Sequence, residues 1–152
     1  MAQTRISQDN PAILAKRLAE MPASQVAQEM EQAILEAKRS GDSVGGVIEC
    51  MALGLPAGLG APFFDSVESV LSHMLFSVPA VKGVEFGSGF AGSRLRGSEN
   101  NDYFTDGEGT TATNRAGGIN GGITNGNEIV IRAALKPTPS ISREQMTYNE
   151  AT

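Results

Sequence analysis

Two stretches of the chain space their apolar side chains as helices do. Between residues 22 and 40, Val26, Met30, Ala33, Ile34 and Ala37 fall on one stripe. Pro22 stands near the start, and Lys38, Arg39 and then Gly41 mark a C-terminus where cations meet the helix dipole and glycine closes the last turn. From Asp65 to Val78 a second face is built from Val67, Val70, Leu71, Met74, Leu75 and Val78. Asp65 and Glu68 have capping-box spacing at its head, and Pro79 ends it. Three short segments have strand character instead. Gly45 to Leu53 (GGVIECMAL) is apolar and bounded by glycine, which predicts a buried strand. Ala80 to Phe86 (AVKGVEF) predicts a strand interrupted by a bulge at Gly83. Glu128 to Lys136 (EIVIRAALK) sets Ile129, Ile131, Ala133 and Leu135 against Val130, Arg132 and Ala134, the alternation of a strand with two different faces.

Hydrophobic periodicity fails over residues 87–126, where eleven of the chain's 18 glycines lie. A loop of that length inside a compact domain is expected to be functional, partnered or disordered, so we expect it to be poorly ordered, or ordered only by contacts to other copies. All 18 glycines fall between Gly41 and Gly126, and nine of the 17 acidic residues lie in the same zone against four of the 12 basic ones. With 152 residues the chain is expected to form a single domain, 1–152, able to bury a modest core.

Charge and cysteine content narrow the chemistry. A net charge of −5 without a basic run disfavours a nucleic-acid binder, whose affinity comes from neutralising phosphates. No apolar run approaches the roughly 20 residues of a membrane span, and MAQTRISQDN has no apolar signal core, so a soluble, cytoplasmic protein is expected. Cys50 cannot form an internal disulfide, and one cysteine with one histidine cannot make a structural zinc site; we assign no metal.

Among local motifs, GSGFAG (Gly87 to Gly92) matches GxGxxG after a strand. The following SRLRGSENN has no helical stripe, so a glycine-rich turn is expected rather than a dinucleotide site. His73 sits beside the apolar stripe of its helix and is expected at the surface; Cys50 is expected to be a structural thiol. More suggestive is NRAGGINGGITNG (Asn114 to Gly126), leading into a strand that ends in Lys-Pro-Thr-Pro-Ser. Glycines let backbone approach a flat ligand, Lys136 offers a cation, Thr138 and Ser140 offer hydroxyls, and two prolines stiffen the chain: a combination suited to an anionic ligand.

Taken in order, GDSVGGVIECMALGLPAGLG (Gly41 to Gly60), SVPAVKGVEFGSGF (Ser77 to Phe90), LRGSENND (Leu95 to Asp102), NRAGGINGGITNG and ALKPTPSI (Ala134 to Ile141) resemble chorismate synthase. The resemblance runs from about residue 10 to residue 150. It implies an α+β fold with helices packed on antiparallel sheet, part of a β-α-β sandwich, and a homotetramer. It also implies a lyase that eliminates phosphate from 5-enolpyruvylshikimate 3-phosphate to give chorismate and requires reduced FMN. Transferred by motif, flavin contacts fall on Pro79 and Ala80, on Gly121, and on Lys136, Pro137, Thr138, Pro139 and Ser140. Pro79 departs from the asparagine common at its place, so a side-chain amide contact is lost there.

The family's N-terminal motif, with its histidines and substrate-binding arginines, and its last Arg-His/Ser-Asp-Pro segment find no counterpart in this sequence, and His73 matches neither catalytic histidine. We therefore expect the central-to-C-terminal portion of such an enzyme, a fragment or truncated product, with no catalytic residue assigned and no turnover alone. Two other readings stay open from the residues: a non-catalytic module binding FMN or another anion, and a structural interaction domain.

Overall fold

The computed structural model describes residues 2–6 and 23–148. A four-stranded sheet in the order β1-β2-β6-β3 organises the chain: β1 is Ala2–Ile6, β2 Gly46–Ala52, β3 Val81–Phe86 and β6 Ile129–Leu135. The late strand β6 lies between β2 and β3 and pairs antiparallel with both, whereas β1 runs parallel to β2. Helix α1 (Ala23–Arg39) precedes β2, and α2 (Val67–Phe76) lies between β2 and β3 in the chain. The α+β architecture with antiparallel core pairing is the expected one; the parallel β1 edge is an addition that the residues did not suggest. Pro22, where the helix was expected to begin, lies outside the described residues.

Strand register sorts side chains onto two unlike faces. Ile48 opposite Ala133 opposite Val84, and Cys50 opposite Ile131 opposite Phe86, form rows on the apolar face, where Ile129, Ala133 and Val81 are buried. On the other face Glu49, Arg132 and Glu85 form one cross-strand row. Arg132 Nε stands 2.7 Å from Glu85 Oε1, its Nη1 lies 3.9 Å from Glu49, and its Nη2 donates to the Gly87 carbonyl at 2.5 Å. Opposite charges directly across strands stabilise a sheet, so this row holds three strands in register where apolar packing is thin. The bulge expected at Gly83 is present as a register shift between Val81 and Gly83.

Helix α1 ends as its sequence requires. Gly41 takes the left-handed conformation at φ 67°, its N–H donates to Lys38 O at 3.2 Å, and Asp42 N–H donates to Ala37 O at 2.8 Å. These two bonds close the orphan carbonyls of the last turn. Helix α2 starts one residue later than expected. Its cap is the buried Ser66, whose Oγ accepts from Ser69 N–H at 3.1 Å, rather than an Asp65–Glu68 box. A hydroxyl suffices to satisfy an N-terminal amide, and so the capping role fell to serine. Strand β2 is also less buried than its apolar run implies, with Ile48 38% exposed.

Residues 87–126 fold onto the chain itself, contrary to the expectation that they are poorly ordered or ordered only by contacts to other copies. Two short helices, α3 (Gly89–Gly92) and α4 (Gly97–Asn100), are followed by an isolated Phe104–Thr111 bridge and a hairpin of β4 (Ile119–Asn120) with β5 (Ile123–Thr124). In GSGFAG only Gly87 and Ser88 form the expected turn; Gly89–Gly92 is α3 itself. Buried Thr124 fastens the hairpin to the connector before α2: its hydroxyl donates to Pro56 O at 2.7 Å and accepts from Leu59 N–H at 2.9 Å. At the other side of the hairpin, Val67 N–H donates to Gly122 O at 3.0 Å, securing the first turn of α2.

Candidate functional site

Strand β6 delivers Lys136 to the edge of a cleft of about 620 Å³ between α1 and the end of the sheet. Its walls are mainly apolar, with Met30, Ile34, Val44 and Leu135, and its polar groups come from Asp42, Ser43, Lys136 and Thr138. A few polar groups set in an apolar hollow of several hundred Å³ is the usual make-up of a small-molecule site. Of the residues expected to contact flavin, Ala80, Lys136 and Thr138 line this cleft. Pro137, Pro139 and Ser140 belong to the same exposed segment but do not line it. Pro79 is exposed one residue before Ala80.

Ala80 is held in the left-handed conformation at φ 74°, and its carbonyl accepts the Lys136 amide at 2.9 Å. A non-glycine residue there is strained by about 1–2 kcal/mol, so surrounding structure must enforce it. The following strand, with Val81 opposite Leu135, supplies that enforcement.

Gly121 is not brought to this cleft. It belongs to the β4–β5 turn beside the first turn of α2, near the Ile129 end of the sheet, whereas Lys136 follows the opposite end of the seven-residue β6. At strand rise the two ends are about 20 Å apart. Within its segment Gly121 nevertheless differs from its neighbours. Gly117, Gly118 and Gly122 are buried and have no room for a side chain, while Gly121 is exposed and a Cβ there would meet nothing.

Sequence reasoning missed the acidic anchors. Asp102 takes three hydrogen bonds, from Thr113 Oγ1 at 2.5 Å, Arg115 N–H at 2.9 Å and Ala116 N–H at 2.8 Å, and so fixes the entry to NRAGG. Burial alone pushes its pKa up, but these bonds and the Arg115 charge outweigh it and hold the carboxyl below its ordinary value. Asn114 works in the same segment, donating to Glu128 O and accepting from Gly118 N–H, both at 2.8 Å. Of the three asparagines that suggested ligand contact, Asn114 and Asn125 are thus engaged with backbone, while exposed Asn120 accepts from the Asn125 side chain. Asp42 is likewise held low, first by the Ser43 N–H and then by Arg143. A short acidic run (ENND) was the only sequence signal for Asp102, and its partners lie 11 to 14 residues on.

Of the earlier candidates, His73 is exposed on α2 and Cys50 is half-buried in β2, where burial pushes its thiol pKa up and away from nucleophilic use. Among the described residues no His, Cys, Asp and Glu cluster could hold a metal ion, and no helix is long and apolar enough to cross a membrane.

The fold is α+β, and its cleft sets one ammonium and the hydroxyls of Ser43 and Thr138 at the edge of apolar walls. The particular family follows from comparison. The family model for chorismate synthase matches residues 3–152. The chorismate synthase of Chitinophaga pinensis is 58% identical over 119 residues, covering 78% of this chain, and that of Acaryochloris marina is 51% identical over 133 residues, covering 86%. A crystal structure of chorismate synthase superposes with a TM-score of 0.69 at 40% identity, over 74% of this chain and 35% of that one. The chain belongs to the chorismate synthase family, and it spans 36% of the length of each of those two relatives.

Proposed function

We propose that this chain carries part of the site of a chorismate synthase, the lyase that converts 5-enolpyruvylshikimate 3-phosphate to chorismate and phosphate. In this reading the cleft at the end of β6 receives the cofactor, FMN. The observation that carries it is the convergence of Ala80 with Lys136 and Thr138, more than 50 residues later in the chain, on one cleft. The donor set fits the cofactor: an ammonium and a hydroxyl for its phosphate or a ring oxygen, beside Met30, Ile34 and Leu135 for a flat apolar ring system. Bound and reduced, FMN would supply electron density as the phosphate leaves. The chain's own part is to bind and orient it. Gly121, exposed and open at the far end of the sheet, is free to approach a ligand or neighbouring chain there. A cytoplasmic homotetramer is the assembly in which we place this portion.

Flavin fluorescence checks the cofactor site. Titration of the chain with FMN is expected to give saturable quenching, and Lys136→Ala to weaken it about tenfold, the value of one charge-assisted hydrogen bond. Equal affinity in the variant removes Lys136 from the site. Turnover is expected to need the family's histidines and arginines as well. The chain alone should therefore fail to restore growth of a chorismate-synthase-deficient strain on medium without aromatic amino acids, and growth would overturn that expectation.

A further inference from the structure

We propose that the loop after α1, Gly41 to Gly45, is the positioning element for the ligand-binding segment Lys136–Ser140, acting through Ser43 and the Asp42–Arg143 ion pair; this rests on the cofactor reading above. With prolines at 137 and 139 the segment is stiff but lacks two backbone donors and cannot extend the sheet, so its placement must be fixed by contacts from outside. Ala80 O holds its first residue through the Lys136 amide at 2.9 Å. Among the described residues, three further tethers come from the loop after α1. Ser43 Oγ donates to Thr138 O at 2.6 Å, Ser142 N–H donates to Gly41 O at 2.8 Å, and Arg143 Nη1 lies 2.8 Å from Asp42 Oδ2. Gly45 packs against the same segment so closely that a Cβ would stand 2.5 Å from Leu135 O and 3.0 Å from Pro137 Cδ.

The loop can act as a fixed support because it is itself fixed. Asp42 N–H closes the end of α1 on Ala37 O, and Asp42 Oδ1 accepts from Ser43 N–H at 2.8 Å, which sets the serine for Thr138. Rigidity therefore passes from the helix terminus through the loop to the backbone on either side of Thr138. Lys136 and Thr138 then have little but their side-chain rotamers left to order when an anion arrives, which is how a preorganised site gains affinity. Arg143 does a second thing: it neutralises Asp42, a carboxylate lining the same cleft that would otherwise oppose an anionic ligand.

Two measurements on the full chain test this. In amide hydrogen exchange without ligand, Ser43→Ala is expected to speed exchange of Ser142 about fivefold, the equivalent of one net hydrogen bond, and Ser43→Thr to restore it. FMN quenching should weaken about fivefold in Ser43→Ala, recover in Ser43→Thr, and weaken also in Arg143→Ala. Unchanged Ser142 exchange in Ser43→Ala overturns the proposal. So does faster exchange with FMN affinity intact, provided Lys136→Ala still loses affinity, because the site would then be real and the loop irrelevant to it. If the parent chain itself fails to quench FMN, the cofactor reading falls, and the exchange result alone decides whether the loop holds the segment.

Discussion

Gly87→Ala is expected to lower the melting temperature of the chain by roughly 6–12 °C, the loss that about 3 kcal/mol produces in a domain of this size. Two costs add. Gly87 has φ 52°, where a side chain costs about 1–2 kcal/mol. A Cβ there would also fall on the carbonyl of Arg115 and on the Gly117 amide, backbone atoms that cannot rotate aside; overpacking of that kind costs about 1–3 kcal/mol. The surroundings make relaxation harder. Gly87 N–H is bonded to Val130 O at 2.9 Å, Ser88 N–H to Arg115 O at 2.7 Å, and the Gly87 carbonyl takes the Arg132 side chain. Moving this residue disturbs β6 and the glycine segment together. Gly97→Ala is the control: that glycine has negative φ, opens α4, and a Cβ there meets nothing within 4 Å. Thermal unfolding followed by circular dichroism should show no loss for Gly97→Ala. Similar losses in both variants would mean that glycine content in general, and not the close approach at Gly87, matters.

The same contrast explains how much could be read beforehand. Helices α1 and α2 and strands β2, β3 and β6 were legible because each writes its period into a few consecutive residues, and even the Gly83 bulge is a local event. Elements held by distant partners were not. β1 is a five-residue strand whose register depends on β2 more than 40 residues away, and β4 and β5 are two residues each. The order of residues 87–126 comes from side chain to backbone bonds such as Asn114 to Glu128 O, which leave no periodic trace. Of the site, the residue types at Lys136 and Thr138 were legible. Their convergence with Ala80, the distance to Gly121, and the supporting role proposed for Asp42 and Ser43 depend on the crossing of β6 between β2 and β3, which no local pattern encodes.

Asp102→Ala is expected to cost about 3 kcal/mol, measured by denaturant unfolding, because it strands the amides of Arg115 and Ala116 in a part-buried turn; each unsatisfied donor costs about 1–3 kcal/mol. The distinguishing test uses pH. The native carboxyl has a pKa below its ordinary 3.8, so the folded state favours the ionised form. Its contribution is therefore complete above the unfolded-state pKa of about 4 and is lost as pH falls through that value toward the lower native one. Asp102→Asn keeps the shape but cannot ionise. The difference in melting temperature between the parent chain and Asp102→Asn should then be constant from about pH 7 to 5 and shrink below about pH 4. Asp42 and Asp106 are also held low, by the Ser43 N–H with Arg143 and by Thr110, and they titrate in both proteins. Their effect cancels in the comparison, so a difference that stays constant down to about pH 3 would mean that asparagine loses only an acceptor oxygen for the Arg115 and Ala116 amides and that the Asp102 charge contributes nothing.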